Sequence, residues 1–299
     1  MVIIPDKPEI HPLQAGWYMP HAAQVDMLRL DLLHPEISGN KWYKLKYNIA
    51  HAISAGYSSL LTFGGGYSNH LAATAVAAKL SGVHAIGIVR GIYQAITPTL
   101  QFCADNGMEL HYLPQAEYDK KNDAVWLDEL AEKFGQPFII PEGGANEYGR
   151  RGAEDIAKHI PASYTHICIS VGSGTTMAGI CNGLNGTDTV IYGYAPMKGG
   201  AYLTQEICDQ ITAGNTCKWQ LFDTWHFGGF GKSNATLIAF MNAFYTTNNI
   251  PLDVVYTAKM MYGVREQLEA GFFPVGARIL CIHSGGLQGN ASVADKLLY

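Results

Sequence analysis

The 299-residue sequence has few charged side chains and no concentration of charge. Asp, Glu, Lys and Arg together make up 15% of the residues, and the formal net charge is −5. It contains no basic run and no acidic tail. Non-specific binding to nucleic acid or to an anionic membrane depends on clustered positive charge and is therefore disfavoured.

The sequence also lacks long apolar runs and the cysteine or histidine spacings of metal sites. No stretch reaches the roughly 18 uncharged apolar residues of a membrane span, and the start, MVIIPDKPEIHPLQ, has no signal-peptide pattern. The six cysteines show no CxxC and the 11 histidines no HxxxH, which disfavours a metalloenzyme. Scattered, reduced thiols indicate a cytoplasmic protein.

Short apolar segments alternate with longer helical patterns from residue 59 to residue 283. Seven segments have the length and composition of buried strands: SLLTFGG, HAIGIVRG, MELHYLP, PFIIPEGG, THICISVG, TVIYGYAP and ARILCIHSGG. Three helical segments end in Gly or Asn-Gly, as helices often do: NHLAATAVAAKLSG, TPTLQFCADNG and TMAGICNGLNG. This alternation predicts an α/β fold with open, parallel-rich, twisted sheets covered by helices.

The order of these elements predicts two lobes. The first four strands would form a small α/β lobe within residues 46–149, and residues 1–45 and 150–299 would form a larger one. Open parallel sheets bind ligands at the carboxyl ends of their strands, and four glycine clusters follow strands there: residues 64–66, 143–144, 172–174 and 285–286. Turns after strands favour glycine in any case, but four clusters indicate close backbone approach to a ligand.

The segment SVGSGTTMAGI, residues 170–180, has the pattern of a phosphate-binding loop. A strand ends at Val171, a Gly-Ser-Gly-Thr-Thr loop follows, and a helix begins near Met177. Free amides at the helix start, together with the hydroxyls, would face an anion. The third glycine of GxGxxG is missing, which disfavours a dinucleotide-binding oxidoreductase. The segment predicts a site for one phosphate group.

A second helix start, in GGGYSNHLAATAVAAKL, has two explanations. Ser68 or Asn69 would be the N-cap of the helix, which accounts for both residues structurally. Alternatively, the amides there would bind a carboxylate, with the side chains of Ser68, Asn69 and His70 facing the ligand. The pattern alone favours neither explanation.

The segment SGNKWYKLKYNIA places three lysines at another predicted helix start. Lys41, Lys44 and Lys46 would form a solvated, cationic helix face, and the residues alone favour that interpretation. A lysine that bonds to a carbonyl group needs a neutral amine, which burial and nearby positive charge provide by lowering its pKa. Lys41 is the candidate for that chemistry.

The same segment resembles GGNKxRKLE of the pyridoxal-phosphate (PLP) dependent family of 1-aminocyclopropane-1-carboxylate deaminases and D-cysteine desulfhydrases, which have fold type II, like tryptophan synthase β. Four more segments resemble motifs of that family in the same order. GGGYSNHLAATAVAAKLSG resembles GGxQSNHxRxxAAxAAxLG, VGSGTTMAGI resembles GSGGTxAGL, LDVVYTAKMMYGV resembles DPVYTGKAMxGL, and IHSGG resembles HTGG. The matches span residues 38–286.

The resemblance implies that PLP binds between the lobes and is bonded covalently to Lys41. It also implies that Asn69 contacts the 3-hydroxyl of the cofactor ring, that Thr257 faces the pyridine nitrogen, and that Ser284 lies at the cofactor. Without the resemblance, Thr257 is an ordinary N-cap before AKMMYGVREQLEAG. The residues implied to hold the phosphate are Gly172, Ser173, Gly174, Thr175 and Thr176.

On the substrate side, the resemblance implies that Ser68, Asn69 and His70 hold the carboxylate, that Ser68 relays protons and that Tyr256 lies over the site. Tyr67 replaces a glutamine of the family and would reshape the pocket. From pattern alone, Tyr67 and Tyr256 are ordinary core or lobe-interface aromatics. The resemblance further implies a homodimer and a small amino acid as substrate. The sparse charge and the short apolar runs predict neither a nucleic-acid nor a membrane partner.

Two departures bear on the reaction. In this alignment, 1-aminocyclopropane-1-carboxylate deaminases have glutamate and a second tyrosine where this chain has Thr257 and Phe230. A neutral hydroxyl would leave the pyridine nitrogen unprotonated, and the weaker electron sink favours prompt loss of a β-substituent. The prediction is α,β-elimination from a small amino acid such as D-cysteine, giving a 2-keto acid and ammonia. Ring opening of 1-aminocyclopropane-1-carboxylate and a non-catalytic PLP-binding protein are the alternatives.

Overall fold

The computed structural model describes residues 7–14, 16–17 and 23–299. Within them, ten strands and ten α-helices follow one another, joined in places by short 3-10 segments. The strands are β1 (Glu9–Pro12), β2 (Gln24–Arg29), β3 (Ser59–Gly64), β4 (His84–Arg90), β5 (Met108–Leu113), β6 (Phe138–Ile140), β7 (His166–Ser170), β8 (Val190–Tyr194), β9 (Lys218–Phe222) and β10 (Arg278–His283). The helices are α1 (Asn40–Ser54), α2 (Asn69–Ser81), α3 (Pro98–Asp105), α4 (Gln115–Tyr118), α5 (Ala124–Lys133), α6 (Glu147–Ala157), α7 (Thr175–Gly183), α8 (Leu203–Gln210), α9 (Ala235–Asn248) and α10 (Thr257–Glu269).

The strands form two sheets, and the predicted α/β fold with parallel-rich sheets is confirmed. The smaller sheet has the order β5-β4-β3-β6 and is parallel throughout. The larger sheet has the order β1-β2-β10-β7-β8-β9, in which β1 alone runs antiparallel to its neighbour. The first four predicted strands all lie in the smaller sheet. The lobe boundaries after residues 45 and 149 stay predictions.

Three strands of the larger sheet lack the apolar runs that predict buried strands. β1 and β9 are edge strands, and β9 alternates exposed with half-buried residues. β2 is buried but contains Asp26, whose carboxylate accepts hydrogen bonds from the Tyr164 hydroxyl at 2.6 Å and the Gln24 amide at 2.7 Å. This buried carboxylate interrupts the apolar pattern; both hydrogen bonds go to its Oδ2, and its Oδ1 has no hydrogen-bond partner among the described residues.

Helix α6 packs against both α1 and α7 at backbone contact distance. A β-carbon at Gly152 of α6 would lie 1.7 Å from the backbone oxygen of Tyr43 in α1. A β-carbon at Gly179 of α7 would lie 2.5 Å from that of Ala153, and one at Gly183 would lie 2.5 Å from that of Ala157. Only glycine permits these approaches, which fix the start of α1 relative to the start of α7.

The structure also shows the state of the cysteines and the length of the helices. All six cysteines are free, and four of them are buried. In the described ranges, no helix combines the length and the apolarity needed to cross a bilayer.

Replacing Gly152 with alanine tests the contact between α6 and α1. We expect Gly152→Ala to lower the free energy of unfolding by about 3 kcal/mol or more, because the clash is with backbone atoms that cannot rotate away. Denaturant unfolding followed by circular dichroism measures the change. Glu147→Ala, at an exposed position of the same helix, is the control and should change stability by less than about 1 kcal/mol. Equal stability of the two variants would contradict the close packing.

Candidate active site

Lys41 is the second residue of α1, and its amine is held at the junction of two helix starts. Its Nζ donates a hydrogen bond to Asn40 Oδ1 at 2.8 Å, and Asn40 Nδ2 donates to Thr176 Oγ1 of α7 at 2.9 Å. Burial lowers the pKa of Lys41 to about 8, against the opposing charge of Asp253. A neutral amine is therefore accessible near neutral pH, as bonding to a carbonyl group requires.

The loop after β10 closes over the start of α1. The backbone N–H of Asn40 donates to Ser284 O at 3.0 Å, and the N–H of Gly286 donates to Ser38 Oγ at 3.2 Å. Gly39 has a φ of 69°, and a β-carbon there would lie 1.8 Å from Ser284 O. Glycine at position 39, before Asn40 and Lys41, is thus required by backbone conformation and by this contact.

The predicted phosphate loop lies at the start of α7, which begins at Thr175 rather than near Met177. Gly174 has a φ of 73°, and a β-carbon there would lie 2.8 Å from Ile207 Cγ1. The hydroxyls of Ser173 and Thr175 are 3.2 Å apart. The earlier start places the N–H groups of Thr175 and Thr176 in the first turn, where they have no intrahelical acceptor.

Lys44 is a site residue that the sequence patterns missed. Its side chain is 3% exposed, and its Nζ donates to Gly143 O at 2.8 Å and to Ser173 Oγ at 3.1 Å. Burial and the charge of Lys41 hold its pKa well below the usual range. A solvated face is therefore the wrong interpretation for Lys44, whereas Lys46 pairs with Asp155 at 2.5 Å. The spacing of three residues from Lys41 was the available signal, because it places both amines on one side of α1.

The start of α2 uses Ser68 as its N-cap, since Ser68 Oγ accepts from the N–H of Leu71 at 3.2 Å. Asn69 Nδ2 donates to Gly286 O at 3.0 Å, which joins α2 to the loop that closes over α1. Asn69 Oδ1 is buried and has no hydrogen-bond partner among the described residues. This unused acceptor suits the hydroxyl group of a bound ring.

The imidazole of His70 points to Thr62, so the structure does not place it with the Ser68 hydroxyl. His70 Nε2 lies 2.9 Å from Thr62 Oγ1, which donates its own hydrogen to Ile140 O at 2.8 Å. His70 Nε2 is consequently the donor, and its Nδ1 is unprotonated. Burial and the charges of Lys41 and Lys44 hold the pKa of His70 well below its usual range, so the ring is neutral. Only its backbone N–H lies in the first turn of α2.

Tyr256 lies against the phosphate loop. A β-carbon at Gly172 would lie 3.4 Å from Tyr256 Cε1, and the ring of Phe230 stands edge-on at 5.7 Å from that of Tyr256. Burial and the charge of Asp253 raise the pKa of Tyr256, so its hydroxyl stays protonated. Tyr67, beside Ser68, is 42% exposed, and its contact with a substrate stays a prediction.

Thr257 is not the N-cap of α10 but its first residue. Asp253 takes the capping role and accepts from the N–H groups of Val255, Tyr256 and Thr257 at 2.7–2.9 Å. The Thr257 hydroxyl donates to Asp253 Oδ2 at 2.8 Å, so its hydrogen is not free for a ring nitrogen. The buried Ser284 hydroxyl, 3.3 Å from Ser170 Oγ, is the other hydroxyl predicted to lie at the cofactor.

These groups suit the expected cofactor. The buried Lys44 amine and the free amides of α7 offer donors that match a phosphate, the unused Asn69 oxygen matches a ring hydroxyl, and Lys41 supplies the amine. A metal site is not formed, because no group of three His, Cys, Asp or Glu side chains with suitable geometry occurs in the described parts of the chain. The residues therefore fit PLP.

Comparison with known proteins gives consistent matches. Residues 22–285 match the family described as "Pyridoxal-phosphate dependent enzyme". A protein of Pyrococcus horikoshii, provisionally named a 1-aminocyclopropane-1-carboxylate deaminase, is 31% identical over 92% of this chain and 88% of its own. The bifunctional D-cysteine desulfhydrase/1-aminocyclopropane-1-carboxylate deaminase of Arabidopsis thaliana mitochondria is 26% identical over 93% and 76%. A crystal structure described as an ACC deaminase homologue superposes with a TM-score of 0.85 at 28% identity, covering 99% of this chain and 94% of that one.

The lowered pKa of Lys41 can be measured in the cofactor-free protein. We expect arylation of Lys41 by trinitrobenzenesulfonate to rise with pH through a midpoint of about 8, because only the neutral amine reacts. Peptide mass spectrometry over a pH series gives the midpoint, and Lys41→Met identifies the labelled peptide. A midpoint at the ordinary lysine value of 10.5 would contradict the burial of this amine.

Proposed function

This chain belongs to the family of pyridoxal-phosphate dependent enzymes, and from that premise we propose that it catalyses α,β-elimination from a small amino acid. The products are a 2-keto acid and ammonia. The observation that carries the proposal is a set of contacts that brings two other segments to Lys41. Asn40 and Thr176 join the start of α7 to the start of α1, and the loop after β10 joins the start of α2 to the start of α1.

Family membership confirms three sequence predictions. The resemblance to the deaminase and desulfhydrase family holds, the cofactor is PLP, and the protein is an enzyme of the PLP-dependent lyase and deaminase group. When bound, PLP accepts electrons from the α-carbon of an amino-acid substrate. The contribution of this chain is to bind, orient and move protons around that carbon.

The substrate carboxylate binds at the start of α2. The backbone N–H groups of Asn69 and His70 lie in the first turn, where they have no intrahelical acceptor and the helix dipole favours an anion. The His70 side chain is hydrogen-bonded to Thr62 and so anchors this turn to β3. Ser68 and Asn69 therefore keep the roles predicted for them, and His70 contributes through its backbone.

Lys41 removes the α-proton. A general base acts well when its pKa lies near the working pH, and burial brings the pKa of Lys41 to about 8. Ser68 Oγ already accepts from the N–H of Leu71, so its own hydrogen is free to be passed on to a leaving group. Tyr256, packed on Gly172, covers the site and excludes water.

The hydroxyls and carboxylates around the site favour elimination over ring opening. The Asp253 carboxylate is engaged by the first turn of α10, which leaves the neutral Ser284 hydroxyl as the partner of the ring nitrogen. Phe230, beside Tyr256, has no hydroxyl with which to move a proton to a ring carbon. A neutral partner weakens the electron sink and suits substrates whose leaving group takes the charge away promptly.

Assays of keto-acid release with the holoenzyme test this function. We expect pyruvate from D-cysteine or another β-substituted alanine, and we expect Lys41→Ala to lower the rate by at least about a hundredfold, as for loss of a general base. Borohydride should fix the cofactor to the Lys41 peptide, as read by mass spectrometry. Lys46→Ala, which removes the lysine paired with Asp155, is the control and should keep activity.

Other outcomes select the alternatives. Release of 2-ketobutyrate from 1-aminocyclopropane-1-carboxylate, with no pyruvate from any thiol- or hydroxyl-bearing amino acid, would replace elimination by the ring-opening reaction named for the relatives. Fixation of the cofactor on Lys41 without turnover of any substrate would leave a PLP-binding protein.

We further propose a homodimer in the cytoplasm. The sparse charge is compatible with a subunit contact, and the free thiols are compatible with a reducing compartment. Sedimentation equilibrium gives the oligomeric state directly, and a monomer at micromolar concentration would contradict the dimer.

A further inference from the structure

Arg90 is a cation at the mouth of the site with no role in the reaction described so far. It is the last residue of β4, and its guanidinium lies over the glycine loop that leads into Ser68. A β-carbon at Gly65 would lie 3.4 Å from Arg90 Nη2, at ordinary van der Waals distance, which places the guanidinium beside this loop.

The backbone around Arg90 is fixed to the same loop. The Tyr93 hydroxyl donates to Arg90 O at 3.0 Å and accepts from the N–H of Gly66 at 2.8 Å. The Thr97 hydroxyl donates to Gly66 O. The end of β4 and the turn before α2 are therefore joined through Tyr93, and the backbone that carries the Arg90 side chain is fixed near the carboxylate-binding turn.

The charge of Arg90 acts across the cleft. It lowers the pKa of Tyr256, which belongs to the opposite wall and packs on the phosphate loop, although burial dominates the pKa of that hydroxyl. The charge of Glu142 raises the pKa of Tyr256, but the Glu142 carboxylate is paired with Lys121 at 3.5 Å. No ion pair or hydrogen bond joins the Arg90 guanidinium to any residue that the structure describes.

The other negative groups of the reaction already have partners. Lys44 and the α7 amides serve the cofactor phosphate, and the α2 amides serve the substrate carboxylate. An arginine without an anion, at a cleft that binds amino acids, is suited to a second anion on the substrate, because its guanidinium pairs with carboxylate or phosphate in two parallel hydrogen bonds.

We propose that Arg90 selects amino acids with an anionic group at the β-position, such as a carboxylate, sulfonate or phosphate ester. This inference names the substrate class of the proposed elimination and rests on it. For an O-phosphoserine-type substrate, Lys41 takes the α-proton, and the Cβ–O bond breaks with its electron pair leaving on phosphate. Water then hydrolyses the released enamine to pyruvate and ammonia. Arg90 stabilises the charge on the departing group.

Aspartate and asparagine are matched probes, because they differ in charge but hardly in shape. With the holoenzyme, and for the enantiomer that binds, we expect aspartate to bind at least about tenfold more tightly than asparagine, as for a hydrogen bond between charged groups. The change in cofactor absorbance on titration gives each Kd. Arg90→Gln should abolish the preference while asparagine binding changes by less than about threefold, and Arg90→Lys should keep part of it.

Arg151→Gln is the control, because the Arg151 guanidinium lies over the Tyr47 ring on the outer side of α1 and α6. It should leave the preference unchanged. The proposal is overturned if wild type does not bind aspartate more tightly than asparagine, or if Arg90→Gln weakens both equally, as for a contact with the α-carboxylate. If Arg90→Gln does not fold, the comparison of aspartate with asparagine in the wild-type protein still tests the proposal.

Turnover separates this proposal from the function on which it rests. Pyruvate release from both O-phosphoserine and the neutral O-acetylserine, with Arg90→Gln lowering the efficiency for O-phosphoserine at least about tenfold more than that for O-acetylserine, supports both. If the protein binds aspartate more tightly than asparagine but releases no pyruvate from any β-substituted alanine, the role of Arg90 is supported and elimination is refuted. Pyruvate release with no preference for an anionic substrate keeps elimination and refutes the role of Arg90.

Discussion

The packing of α6 between α1 and α7, at distances that only glycine allows, is the constraint on which the site depends. α1 carries Lys41, which is proposed to bond to the cofactor, and Lys44, which contacts Ser173 in the loop before α7. Because Gly152 and Gly179 bring backbone against backbone, neither helix can shift along the other without a clash. The distance between the Lys41 amine and the amides at the start of α7 is therefore set by helix contacts outside the proposed site.

A second feature is the distribution of charge. The chain carries a formal charge of −5, yet three cations lie near the proposed site: Lys44 is buried, and Lys41 and Arg90 are half-buried. Burial lowers the pKa of both lysines, and the charge of Lys41 lowers that of Lys44 further. An anion bound beside them in this less polar environment gains more than it would from surface lysines. The proposed phosphate site and the proposed reactive amine therefore depend on the same burial.

The sequence predicted the parts of the site that short segments encode. Lys41, the α7 loop and the start of α2 each lie in a motif of about ten residues, and the fold follows from alternating apolar segments. The rest depends on contacts between distant segments. Lys44 meets its partners 99 and 129 positions away, and the role of Asp253 as the cap of α10 shows only when the turn after it is seen in three dimensions. Thr257 is the opposite case. Its segment resembles the family motif, but its hydroxyl donates a hydrogen bond to Asp253.

The loop after β10 joins Ser38 to Gly286, which are 248 positions apart, and also holds Asn69. During synthesis, α1 and α2 emerge long before this loop exists, so a nascent chain cannot yet enclose the cofactor. In the proposed site, vitamin B6 would thus be retained only by chains that have been translated through this loop and folded. Since a ligand that binds only the folded state stabilises it, the supply of the vitamin would set how much of the finished protein survives quality control in the cell.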